Sequence, residues 1–170
     1  IKVKLPDDDE PDAFSLAEIK AISATDTHRP SERNAAVFAL WSGARPSEWL
    51  ALGWDEIDLD NREARFVRAV VLGVYKSTKT KRSKRAIDLM APAISALRHQ
   101  FGITGHLPPI DIQCLQRDNR TFRTEAFRPV FVNQSTGLPY SRVKYYESCF
   151  WKRHLARADV RCRGVSLARH

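Results

Sequence analysis

Hydrophobic residues along this chain fall first into helical spacing, then into strand-like alternation, then into helical spacing again. Phe14-Ser-Leu-Ala-Glu18 has the form of a capping box, with Ser15 as N-cap, Glu18 at N3, and Phe14 and Ile19 placed as a hydrophobic staple. A short helix follows, and Leu16, Ile19 and Ile22 supply its buried stripe. Residues 25–30 read as a loop before a helix near residues 31–42. Val37, Leu40 and Trp41 share one face of that helix, and Gly43 stands where a left-handed cap ends it. Pro46, Ser47 and Glu48 suit the first turn of a new helix ahead of Trp49, Leu50 and Leu52. Residues 54–59 predict a turn of helix and Asp60-Asn61 a chain reversal.

Strands then take over. Residues 65–71, 74–78 and 84–89 are β-branched or alternating and predict three short antiparallel strands. Pro92, Ile94, Leu97 and Phe101 predict a helix that stops at Gly102. Residues 105–127 show little periodicity and read as a loop-rich surface excursion. After residues 129–132 and the turn at 135–137, Ser141 reads as the N-cap of a helix to about Ala158. Val143, Tyr146, Cys149 and Phe150 keep its helical spacing, and Lys144, Lys152, Arg153 and Arg157 take its exposed positions.

Composition narrows the picture. A chain of 170 residues, 43% hydrophobic, is long enough for one domain with a sizeable core. Neither a membrane-length apolar run nor a signal-peptide pattern occurs, which predicts a soluble intracellular protein. Cys114, Cys149 and Cys162 have no C-x-x-C spacing, and the five histidines have no ligand spacing, so reduced structural thiols and no metal site are expected. Residues 1–63 carry 7 Lys/Arg against 14 Asp/Glu, whereas residues 64–170 carry 21 against 6, balances of −7 and +15. Such asymmetry predicts a basic surface that faces a polyanion.

Arg45 sits at the joint between two buried helices, near the free N–H groups of a helix start, where a guanidinium is well placed to grip a phosphate. The surrounding run SGARPSEWLALGWDEIDLD resembles the first arginine box of the tyrosine recombinases, the phage integrase family. On that resemblance Arg45 falls on the first catalytic arginine and Glu48 on its acidic support. KSTKTKRSKRAIDL resembles the family's β-hairpin, with Lys79 on the catalytic lysine. Around it Lys76, Lys81, Arg82, Lys84 and Arg85 are candidate DNA contacts, although a solvated, charge-blunted hairpin is the plainer reading for most of them. VSLARH resembles the second box, with Arg169 on the second catalytic arginine, His170 beside it as support, and Ser166 where the family usually has histidine.

In the chemistry the resemblance implies, a tyrosine oxygen attacks a phosphodiester and forms a 3′-phosphotyrosyl intermediate. Two arginines hold the negative charge that develops on the non-bridging oxygens, and a hairpin lysine protonates the departing 5′ oxygen. No metal and no cofactor are implied, because guanidinium groups supply that charge stabilisation. Tyr145 and Tyr146 read as packing residues, since the family's nucleophile follows the second arginine; none is expected within this chain. The chain therefore reads as a fragment that binds DNA without cutting it.

These readings predict a mainly α fold with a small three-stranded antiparallel β-sheet, that of a C-terminally truncated tyrosine recombinase catalytic domain. Residues 1–12 form a lead-in and residues 13–170 the domain, without its nucleophile segment. The implied function is site-specific DNA integration or excision. Implied partners are double-stranded attachment sites and, in the full-length protein, a recombinase tetramer, with no membrane. The implied setting is a bacterial cytoplasm, on the nucleoid. Two alternatives share the fold: a type IB topoisomerase, and a DNA-binding module without catalysis. A tyrosine downstream separates the enzymes from the module.

Overall fold

A computed structural model of the chain describes residues 12–77 and 85–169, the last by its backbone alone. Residues 1–11, most of the expected lead-in, lie outside that description. Asp12 is held by Arg161 and, at 2.9 Å, by Arg163.

Helix α1 (Leu16–Ala24) opens with the capping box expected of it: Glu18 N–H donates to Ser15 Oγ at 3.2 Å, and Ser15 N–H donates to Glu18 Oε2 at 2.8 Å. Its inner face differs from the expected stripe. Leu16 is 56% exposed, while Phe14, just outside the helix, is buried with its ring edge-on to Trp151 at 5.8 Å. The staple residue displaces Leu16 from the core, and Ile22 completes the face.

Helix α2 (Pro30–Ser42) is the centre of the molecule, buried at Ala35, Ala36, Phe38, Ala39 and Leu40 and also at Ser31, Glu32 and Asn34. A helix buried around most of its girth must be covered on several sides. Here α1, α4 (Ala91–Thr104) and the C-terminal 3₁₀ turn (Val165–Arg169) cover it. Gly43 ends α2 at φ 61°, the left-handed conformation its position predicted. α4 runs through Gly102 and stops at Thr104. Its last turn is tied down by Gln100 Nε2–H and Thr104 Oγ1–H, which both donate to Val130 O at 2.7 Å, so one glycine does not end it.

Two sheets are present where one was expected. β1 (Ile57–Asp58), β2 (Glu63–Phe66) and β5 (Arg85–Asp88) form an antiparallel three-stranded sheet in the order β1-β2-β5. β3 (Arg68–Val71), β4 (Val74–Ser77), β6 (Ile110–Leu115) and β7 (Phe122–Phe127) form a second sheet in that order, with β4 parallel to β6. The predicted strand over 65–71 breaks at Val67, and its halves join different sheets. The stretch 105–127, expected as loop, contains the β6–β7 hairpin. Ile112 and Cys114 point into the core while Asp111 and Gln113 point out, an alternation too short and too polar to register as a strand.

The last long helical run is continuous but not uniform: α5 (Val143–Tyr146), a π-helical segment (Glu147–Trp151) and α6 (Lys152–Arg157). Its N-cap is Arg142 rather than Ser141, whose carbonyl instead accepts Gly73 N–H from the β3–β4 turn. Tyr146, Phe150, Trp151 and Leu155 are buried, and the rings of Trp49, Tyr146 and Phe131 meet edge to face at 5.1 and 6.0 Å. The cysteines are free thiols, and only Cys114 is buried. Among the described residues no helix is long and apolar enough to cross a membrane.

Candidate functional site

Arg45 is the N-cap of α3 (Pro46–Trp49), a one-turn helix that starts with proline and ends on the fully buried Trp49. Ala44 and Trp49 fix the backbone on either side, and the guanidinium projects outward, its side chain 57% exposed. Glu48 supports it twice: Oε2 accepts Arg45 N–H at 2.8 Å, and Oε1 accepts from Nη1 at 3.2 Å. The same carboxylate accepts a third bond, from Arg85 Nη2 at 3.2 Å. Glu48 is only 13% exposed, so two cations share one shielded anion and the cluster keeps a net positive charge. Most of the N–H donors of Arg45 remain turned toward solvent, the arrangement a phosphate oxygen requires.

Arg85 enters this cluster because β5 runs antiparallel to β2, with Arg85 opposite Phe66. Its guanidinium lies over the Phe66 ring at 5.7 Å. Arg85 stood among the candidate DNA contacts, and its pairing with Glu48 was not foreseen. The signal was parity: in Arg85-Ala-Ile-Asp88, Arg85 shares a face with Ile87, which packs against the core.

Of the hairpin cations, Lys76 is half-buried on β4, opposite Ala69 on one side and Leu115 on the other. Lys79, Lys81, Arg82 and Lys84 lie outside the described residues. Of the residues that flank them, Ser77 pairs with Arg68 on β3 and Arg85 with Phe66 on β2, and Arg85 reaches Glu48.

The second box forms the C-terminal 3₁₀ turn, which packs on α2 through buried Val165 and Ala168. Glu147 Oε1 accepts Val165 N–H at 2.8 Å and anchors its start. Ser166 is exposed and makes no side-chain hydrogen bond among the described residues. The Arg169 side chain and His170 lie outside them, so the meeting of both arginines with Lys79 is not part of the observed geometry.

The chain's four tyrosines differ in exposure. Tyr146 is fully buried and donates to Glu32 O at 2.9 Å, and Tyr140 donates to Glu32 Oε1 at 2.9 Å. Burial pushes both phenols well up, and it pushes Tyr75 up to about 12. Tyr145 is half-exposed, with its ring 5.5 Å from Tyr140. Among the described residues no group of three His, Cys, Asp or Glu could hold a metal ion.

No protein-family model matches the chain. Prophage integrase IntR of Escherichia coli (strain K12) is 28% identical over 166 residues, which cover 95% of this chain and 39% of that relative. Among solved structures, the Tn1549 transposon integrase in complex with circular intermediate DNA superposes with a TM-score of 0.69 at 20% identity, covering 98% of this chain and 54% of that one. XerA recombinase superposes with a TM-score of 0.66 at 11% identity, covering 93% and 47%. The chain thus spans about two fifths of IntR and about half of each solved structure.

Proposed function

With relatives and solved structures agreeing on the tyrosine recombinases, whose catalytic-domain fold this chain has, we propose that it is part of the catalytic domain of a site-specific DNA recombinase. The observation that carries the reading is the exposed Arg45 guanidinium, fixed at a helix start by a shielded carboxylate. In this reading Arg45 and Arg169 hold the non-bridging oxygens of the scissile phosphate and stabilise the charge that builds there. Ser166 adds one hydroxyl donor at the same phosphate. Glu48 and His170 support the arginines, and Lys79 protonates the departing 5′ oxygen. Lys76, Lys81, Arg82, Lys84 and, beyond its bond to Glu48, Arg85 face the DNA backbone. The nucleophilic tyrosine belongs to a segment outside these residues, and no metal is needed for the charge stabilisation.

The working partner is a double-stranded attachment site, engaged by a tetramer of the full-length protein on bacterial DNA. The test is strand cleavage by the full-length recombinase. Arg45→Ala and Arg169→Ala each lower the rate ~10²- to 10³-fold, the usual cost of one lost oxyanion donor. A substrate with sulfur in place of the 5′ leaving oxygen needs little protonation, so it rescues Lys79→Ala and neither arginine variant. Equal rescue of all three removes Lys79 from the role of acid.

A further inference from the structure

At the end of α2 opposite Arg45, ~18 Å along the helix axis, the α1–α2 turn meets the π-helical segment and α6 around a small cleft. The cleft holds about 100 Å³ and is lined by His28, Arg29, Phe150, Arg153, His154 and Arg157, among others. Arg29 is engaged, donating to Glu32 Oε1 at 3.3 Å and to Ser135 Oγ at 2.7 Å. Arg153 and Arg157 stand one turn apart on α6, exposed, and their side chains have no ion pair or hydrogen bond among the described residues. No carboxylate is among the described residues that line the cleft. Asp26, just outside it, is fully exposed 4.0 Å from Arg33, and buried Glu32 is bonded through Oε1 to Arg29 and Tyr140 while its Oε2 has no partner. The cleft is therefore cationic and lacks an anion of its own.

A second, independent feature is the floor. His154 is 2% exposed, stacked on Phe150 at 4.6 Å, with Nε2–H donating to Ile22 O at 2.9 Å and Nδ1 buried without a partner. Buried polar atoms are nearly always satisfied, so a missing partner on a residue that lines a cleft leaves a place there for a water or a ligand group. An oxyanion satisfies Nδ1 in either protonation state. A P–OH donates to the lone pair of the neutral ring, or a P–O⁻ accepts from the protonated one. A volume of about 100 Å³ admits a phosphate-sized group. We propose that this cleft is a phosphate-binding site, with Arg153 and Arg157 clasping the anion and His154 contacting it from below. The anion is free phosphate or a phosphate of a nucleic-acid strand.

The test uses inorganic phosphate against chloride at matched ionic strength, read by calorimetry and by the His154 ring resonance in NMR. Phosphate binds, and the ring protonates at higher pH in its presence, because the anion opposes the burial and the Arg33 and Arg157 charges that lower its pKa. Arg153→Ala/Arg157→Ala, two exposed changes, weakens phosphate binding at least tenfold, while Arg98→Ala/Arg120→Ala, equal in charge and elsewhere on the surface, leaves it unchanged. A parallel titration with duplex DNA separates the sources. Greater loss of duplex affinity in the first variant than in the second assigns a strand phosphate, and loss of phosphate binding alone assigns the free ion. Equal losses in the two variants, no phosphate binding, or an unmoved His154 resonance overturns the proposal.

Discussion

Glu48 accepts from two guanidinium groups and from the backbone of its own helix cap, so one carboxylate fixes Arg45 from both sides. Glu48→Gln keeps the shape but loses the charge that holds Arg45 and Arg85 together. On the proposed function, strand cleavage by the full-length protein is expected to fall, by roughly the 10- to 100-fold that partners orienting a metal's ligands are worth. Duplex affinity, measured alongside, should stay within about threefold, since the cationic groups remain; a parallel loss of both would mean that Glu48 shapes only binding. His154 makes a different prediction. Burial first, then Arg33 and Arg157, holds its pKa below the ordinary 6.5, against the opposing hydrogen bond to Ile22. The unfolded chain therefore binds more protons than the folded one, and stability present above pH 6.5 is lost as pH falls through that value toward the depressed one. Glu56, pushed up by its own burial, acts in the opposite sense, so the comparison is made against His154→Gln, in which the amide can still donate to Ile22. Between pH 7.5 and 5.5 the urea midpoint of the chain should fall relative to that of the variant, and a constant difference would contradict the assignment.

The elements legible in the sequence are those whose ends are set locally. The Ser15–Glu18 box, Gly43 at φ 61° and the Arg45-Pro46 start of α3 each depend on contacts within four residues, and each is where the pattern placed it. Gly43→Ala forces a side chain into the left-handed region at a cost of about 1–2 kcal/mol. For a domain of this size that is a fall of ~2–4 °C in Tm per kcal/mol, read by calorimetry. Because Arg45 begins the next helix two residues later, the same variant should also weaken any duplex binding in which Arg45 takes part. Ser15→Ala, which removes a cap from α1 far along the chain, costs about 1 kcal/mol and should leave that binding alone. The elements that escaped the sequence depend on distant partners. β4 meets β6 in parallel, Tyr75 opposite Cys114, across α4, and the break at Val67 makes sense only once β2 and β3 have separate sheets to join. Leu16 lost its expected place to Phe14 because Trp151, at the far end of the chain, supplies the surface on which Phe14 packs.

At the scale of the whole molecule the site follows the same division. The Arg45–Glu48 pair was legible because its members are three residues apart, whereas Arg85 joins them from 37 residues beyond Glu48, through a strand pairing that no local pattern encodes. The charge asymmetry was legible from composition, and it sets the last prediction. A chain with a balance of +15 over residues 64–170 should bind duplex DNA mainly by releasing counterions, with Kd of ~10⁻⁴ to 10⁻⁶ M and little sequence preference. The logarithm of affinity should fall linearly with the logarithm of salt concentration, with a slope of about −0.9 for each phosphate neutralised. Arg45, with most of its donors free, should account for one such contact, so Arg45→Ala reduces the slope by about 1. Arg85 spends part of its charge on Glu48 and lies over Phe66, so Arg85→Ala should reduce the slope by less while disturbing the Arg45 cluster. An affinity independent of salt would refute the electrostatic account. An Arg85→Ala change in slope larger than that of Arg45→Ala would move the principal phosphate contact from the helix joint to β5.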